Sequence, residues 1–285
     1  MLRCVQITSI NSSDQISLEA VVEVAHYAKP VEKIVLLGER HSGTNWITDH
    51  LRECFQGDLK VDNHYSSWKH WFQEDDVQRV PENSAVVIAM FRDPYAWVEA
   101  MRVVPHHAHH HINLTQYTNK NPKGASWRRQ GGEALGWKEF VTKPWVGKTI
   151  TRYDIHGLGE NFYEMQPDGS GRAYSSIIDL RRDKIINHLS VANFVGTRAF
   201  LPMRYEDLNA NGTSVLLRSI EEAAGLKTNC SAIVGKASND GTGRRHLKKK
   251  KITKHSQLPD EFIDWMNEYV DWEVESRIGY YRRNA

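Results

Sequence analysis

Gly38-Glu39-Arg40-His41-Ser42-Gly43-Thr44-Asn45-Trp46 follows directly on the apolar run 34–37 and opens into a helix-like segment. A buried strand, a glycine turn and a helix N-terminus together cradle an anion, because free N–H groups and the helix dipole converge on it. Gly38 and Gly43 keep the G-x-x-x-x-G spacing of nucleoside-triphosphatase loops. Thr44, however, stands where the phosphate lysine belongs, and Asn45 where the magnesium-holding hydroxyl belongs. The expected chemistry is therefore the binding of a multiply charged ligand, with poor equipment for ATP hydrolysis. Ser42, Gly43, Thr44 and Asn45 would aim backbone N–H groups and hydroxyls at that ligand. Gly43 would let the backbone approach an oxygen that a Cβ would exclude.

The elements that must hold this loop are readable from hydrophobic patterning. Residues 33–37 form a strand and 45–55 a helix, while 56–80 are mixed and polar. Ala85–Phe91 is a continuous apolar run, which predicts a strand buried on both faces. Arg92-Asp93-Pro94 breaks it, and a helix follows over 95–102 with proline near its first turn. Helices are predicted over 17–28 (stopped by Pro30), 177–189, 215–224 (closed by Gly225) and 259 to about 277, and a third strand over 199–205. Strands alternating with helices predict an α/β fold, a central parallel sheet flanked by helices, with ligands beyond the carboxyl ends of the strands. The chain reads as a single domain, 1–285, carrying an irregular insertion over about 104–176 and a Gly/Ser/Lys-rich loop over 235–254.

The loop, Phe91-Arg92-Asp93-Pro94-Tyr95 and Arg204-Tyr205-Glu206-Asp207-Leu208, in that order and spacing over 33–225, resemble the sulfotransferases that use 3′-phosphoadenosine 5′-phosphosulfate. The resemblance fades over 104–176, where members bind different acceptors. It implies the P-loop-like three-layer sulfotransferase fold. It also implies transfer of a sulfuryl group to a hydroxyl or amine, with adenosine 3′,5′-bisphosphate as product and no metal required. Residues 40–46 match the family's 5′-phosphosulfate loop; Trp46 covers the adenosine or packs under the helix. Many members carry a lysine where this chain has His41, so Arg40 or protonated His41 is the candidate cation for charge developing on the bridging oxygen.

Arg92 matches the arginine that binds the 3′-phosphate, a role suited to its rigid fork. The family's companion serine is here Ala100, which leaves Arg244 and Arg245, beside Gly241-Thr242-Gly243, as further 3′-phosphate candidates. Tyr205 matches an adenine-contacting tyrosine, and Glu206 and Asp207 are expected to brace the strand end. For the base that deprotonates the acceptor, Trp68-Lys69-His70-Trp71 falls in the interval where the family places it. His70 is the expected base and Lys69 a second cation; His64 and Glu139 are the alternatives. A histidine with a reference pKa of about 6.5 suits this task at neutral pH.

Composition narrows the rest. A net charge of +2 demands no nucleic-acid partner, and no run approaches the ~20 apolar residues of a membrane span. Cys4, Cys54 and Cys230 are odd in number and far apart, so neither a disulfide framework nor a zinc spacing is expected from them. That points to a reducing, cytoplasmic setting. His106, His107, His109, His110 and His111 lack a completing cysteine or carboxylate pattern, and an acceptor-contacting or solvated loop is the preferred reading over a metal site. Trp68, Trp71, Trp97, Trp127, Trp137 and Trp145 either pack the core or line a pocket for a flat or cationic small-molecule acceptor. Two other functions fit the same residues less well: a P-loop kinase, and a nucleotide-binding protein of this fold without transfer activity.

Overall fold

A computed structural model of the chain describes residues 30–103, 135–145, 166, 168, 172–228, 230–234 and 258–283. Strand β1 (Lys33–Gly38) leads through the loop into helix α1 (Thr44–Cys54), then β2 (Lys60–Asp62), β3 (Ala85–Phe91) and α2 (Pro94–Val103). Helix α3 (Trp137–Thr142), α4 (Ile177–Ser190) and a 3-10 turn (Val191–Asn193) precede β4 (Thr197–Arg204). Helices α5 (Tyr205–Asn211), α6 (Ser214–Ala224), α7 (Asp260–Tyr269) and α8 (Trp272–Ser276) complete the described elements.

The four strands pair in the order β2-β1-β3-β4, all parallel, with Ile34 opposite Val86 and Val86 opposite Ala199. Every residue of β3 is buried, as its unbroken apolar run requires of a strand covered on both faces. Ile34, Leu36, Val86, Ile88 and Met90 pack with Ile47 and Leu51 of α1 and Leu216, Leu217 and Ile220 of α6. The alternate residues Val35, Leu37 and Val87 face Tyr65, Val80 and Val191, and Ala89 and Phe91 meet Ile185 of α4 and Val274 of α8. The predicted α/β class with a parallel sheet and helices on both sides is what this chain forms. From β1 the chain runs outward to β2 and then returns to β3 on the other side. The β1–β3 boundary is therefore the switch point where an open parallel sheet leaves a crevice.

Local chemistry sets the ends. Ser176 caps α4, its hydroxyl accepting from Asp179 N at 3.1 Å. Gly225 closes α6 in the left-handed conformation, φ 69°. The single helix predicted from 259 to about 277 is instead two. Val270 turns extended, and Asp271 caps α8 by accepting from Val274 N at 3.1 Å, a use of aspartate that outcompetes its place inside a helix. Strand β2, three residues with one apolar side chain, was too short to show a period.

The cysteine expectation is overturned. Cys54, at the end of α1, is disulfide-bonded to Cys230, 176 residues away in sequence, with Cα atoms 4.8 Å apart. Linear spacing could not show that the segment after α6 folds back on α1. The cysteine argument for a reducing compartment falls with it. Among the described residues, no helix is long and apolar enough to cross a membrane. The expected helix 17–28, Cys4, most of the 104–176 insertion and the 235–254 loop lie outside the described residues. The parts of the insertion that are described bury Phe140, Val141, Trp145 and Tyr174 against α2 and α7.

Candidate functional site

The loop 38–43 and Arg92 leave the sheet side by side, from β1 and β3, and Tyr205 follows at the end of β4. Two glycines make the turn possible. A Cβ on Gly38 (φ 149°) would lie 2.6 Å from the Met90 carbonyl oxygen and 2.9 Å from Ser42 Oγ. One on Gly43 (φ 85°) would lie 2.6 Å from the Tyr205 ring and 2.7 Å from Trp46 Nε1. His41 takes φ 63°, an uncommon conformation for a residue with a side chain.

Four successive loop carbonyls are each held by a side-chain donor. His70 Nδ1 donates to Gly38 O at 2.6 Å and Ser42 Oγ to Glu39 O at 2.6 Å. Trp97 Nε1 donates to Arg40 O at 2.9 Å and an Arg92 guanidinium nitrogen to His41 O at 3.1 Å. Ser42 is thus fully buried and braces the turn with its hydroxyl. Thr44 is also buried, Asn45 is exposed and Trp46 half-buried. Arg92 lies over the Tyr205 ring, 5.2 Å from its centre. Trp46 Nε1 and Arg92 Nε are buried and have no hydrogen-bond partner among the described residues. Buried N–H donors are rarely left so.

Lys69 and His70 reach the loop from the segment after β2. Lys69 O accepts from Gly38 N at 3.0 Å, and its ammonium donates to Asn45 Oδ1 at 2.6 Å. This puts an amine beside the start of α1, from outside the loop, near where a triphosphatase carries its own lysine. Burial, then repulsion from Arg52, lowers Lys69 to about 8. Burial, reinforced by the charges of Arg40 and Lys69, holds His70 well below its ordinary value. A carbonyl can only accept, so the His70 proton sits on Nδ1 and the lone pair on Nε2. Of the alternatives, His64 is exposed and pairs with Asp62 at 3.3 Å, while Glu139 is exposed on α3. Only His70 of the three is bonded to the loop. Glu206 and Asp207 brace as expected: Glu206 accepts from Asp93 N and from the Tyr280 hydroxyl, and Asp207 pairs with Arg204 at 2.6 Å.

Beneath the loop lies a buried ionic cluster that the sequence reading missed. Arg181 pairs with Glu39 at 2.6 Å and with Glu275 at 2.5 Å, donates to Arg92 O at 2.8 Å, and stacks on Trp97 at 4.9 Å. Burial raises the Glu39 carboxyl above its ordinary range, and Arg181 opposes that rise. One signal was present: Arg181 sits midway between Ile177 and Ile185, on the buried stripe of α4. Trp97 and Trp145 are core residues, and Trp137 packs on Phe262 and Trp265, so packing accounts for these three tryptophans. Trp68 and Trp71 meet edge to face, with His70 against Trp68. Arg244, Arg245, Trp127 and the histidines at 106–111 lie outside the described residues.

Comparison with protein-family models and with curated proteins finds no match for this chain.

The lowered Lys69 pKa makes a stability prediction. Between about 8 and its ordinary 10.5, the unfolded chain holds a proton that the folded chain has released, so stability from this group rises with pH across that window. Urea midpoints of wild type should rise relative to Lys69→Met from pH 8 to 10; parallel curves would refute the shift.

Proposed function

We propose that the protein transfers a sulfuryl group from 3′-phosphoadenosine 5′-phosphosulfate to a hydroxyl or amine of a small-molecule acceptor. The observation that carries this reading is the convergence of three anion-binding pieces at one crevice: the loop 38–45, Arg92 on Tyr205, and the Lys69 ammonium on Asn45. The residues present fit the donor. Backbone N–H groups of 43–45 would surround the phosphosulfate, with the half-buried Trp46 beside them; the Ser42 N–H is already donated to Glu39 O at 3.3 Å. Arg92 would take the 3′-phosphate through its fork, and Tyr205 would meet the adenine. Lys69 and Arg40 would steady charge on the bridging oxygen as it leaves, with His41 at the third cationic position.

The reaction is an in-line displacement. The acceptor oxygen or nitrogen attacks sulfur, its proton passes to His70 Nε2, and the bond from sulfur to the bridging phosphate oxygen breaks to release adenosine 3′,5′-bisphosphate. The donor is already activated, so the reading requires no metal. Arg244 and Arg245 remain proposed partners of the 3′-phosphate in place of the family serine, at Ala100 here.

Calorimetry tests the reading directly. Adenosine 3′,5′-bisphosphate is expected to bind at least tenfold tighter than ADP, with or without magnesium. Tighter binding of ADP or ATP, or magnesium-dependent ATP turnover, would overturn it in favour of a kinase. Binding without sulfate transfer to any of a broad acceptor panel would leave a nucleotide-binding protein.

A further inference from the structure

We propose that, when its disulfide is reduced, the chain holds one thiophilic metal ion, Zn²⁺ in the first instance, through Cys54 Sγ, Cys230 Sγ and His50 Nδ1. The site lies at the far end of α1 from the phosphate-cradling loop and does not depend on the function proposed above.

His50 and Cys54 stand one helical turn apart on the buried side of α1, and the disulfide partner Cys230 arrives from the segment after α6. One ligand atom from each of the three residues lies within 4.8 Å of the others. The histidine is anchored through one ring nitrogen. Its Nε2 lies 3.0 Å from the hydroxyl of Thr213, a fully buried residue at the N-cap of α6. That hydroxyl already accepts from Ile233 N at 3.0 Å, and its second lone pair can take the Nε2 proton. With that proton on Nε2 the ring keeps its own lone pair on Nδ1; Cys54 Sγ lies 3.7 Å from Nδ1 and 3.6 Å from Nε2, so ligation through Nδ1 asks the ring to turn toward the sulfurs. Nitrogen and sulfur bound to one tetrahedral zinc, at about 2.0 and 2.3 Å, sit ~3.5 Å apart. Anchoring of the remote ring nitrogen by a hydroxyl is the support that metal-bound histidines require. Two thiolates with one imidazole suit Zn²⁺ or Cu⁺.

Disulfide and ion exclude each other, because both use the same sulfurs. A dithiol reductant converts the bond to two thiols and is itself oxidised to its disulfide. Uptake of the ion then displaces the two thiol protons, and water completes the coordination on the half-exposed Cys230 side. Either state fastens α1 to residues 230–234, so the tether survives a change of redox setting.

Co²⁺ serves as the probe, added under argon to the full chain carrying Cys4→Ser, after reduction and desalting. One equivalent is expected to give a thiolate-to-cobalt charge-transfer band, which the histidines at 106–111 alone cannot produce. The oxidised chain and the Cys230→Ser variant should show no band. Thr213→Val should bind about 10–100-fold more weakly. Absence of the band in the reduced chain, or equal affinity in His50→Gln, would overturn the proposal. Far-UV circular dichroism of the same samples separates loss of the site from loss of the fold.

Discussion

His70→Asn is expected to slow sulfuryl transfer by about 10²–10⁴-fold, the range for a positioned general base. It should leave affinity for adenosine 3′,5′-bisphosphate within about threefold by the measure of one retained brace. Asparagine is the informative substitution because its amide N–H can replace Nδ1–H as donor to Gly38 O, the 2.6 Å bond that steadies the turn. Alanine would lose base and brace together and blur the two roles. The pH profile adds a second readout. His70 is held well below the ordinary histidine value, so the acidic fall in wild-type rate should lie below pH 6.5 and vanish in the variant. A variant turning over within tenfold of wild type would remove His70 from the chemistry and return attention to His64 and Glu139.

Arg181→Met is expected to destabilise the fold by about 3–5 kcal/mol, because it leaves two carboxylates buried together without their cation. Glu39, Glu275 and Arg181 are all nearly inaccessible to water, with side chains 1–3% exposed. The same change removes the donor to Arg92 O, so the backbone at Arg92 loosens as well. Arg181→Lys should fall between wild type and Met: it keeps the charge but cannot bridge two carboxylates and a carbonyl at once. Urea denaturation reads both, and a loss below about 1 kcal/mol, the level of an exposed pair, would show that the cluster relaxes with water. Adding Glu39→Gln and Glu275→Gln to Arg181→Met should recover part of the loss, since neutral amides are cheaper to bury than unpaired carboxylates.

How much of this was legible in the sequence depended on the range of the interactions. β3 could be read to the residue because a strand covered on both faces carries an unbroken apolar run. The turn at 38–43 was legible because glycine spacing records backbone conformation directly, and Gly38 and Gly43 both have positive φ. Arg92 and Tyr205 could be located in the fold because each follows directly on a core strand. Long-range pairings left no such trace. Arg181 meets Glu39 and Glu275 across 142 and 94 residues, and Cys54 meets Cys230 across 176. Nothing in the local pattern of either partner announces the other. The break between α7 and α8 was hidden differently, since Asp271 reads as a tolerable helix residue until its capping bond is seen.

Four carbonyls of the loop, at 38–41, are occupied by His70, Ser42, Trp97 and Arg92 before any ligand arrives. The conformational entropy of shaping this turn is therefore lost once, during folding, and not again at each binding event. On the function proposed above, the phosphosulfate would meet dipoles already aligned, so little of its interaction energy would be consumed in reorganising them. Association should accordingly be fast and single-phased, with ligand-free and ligand-bound loops superimposing. The rigidity of the cradle is inherited largely from three side chains outside it, His70, Trp97 and Arg92, with Ser42 of the loop itself as the fourth.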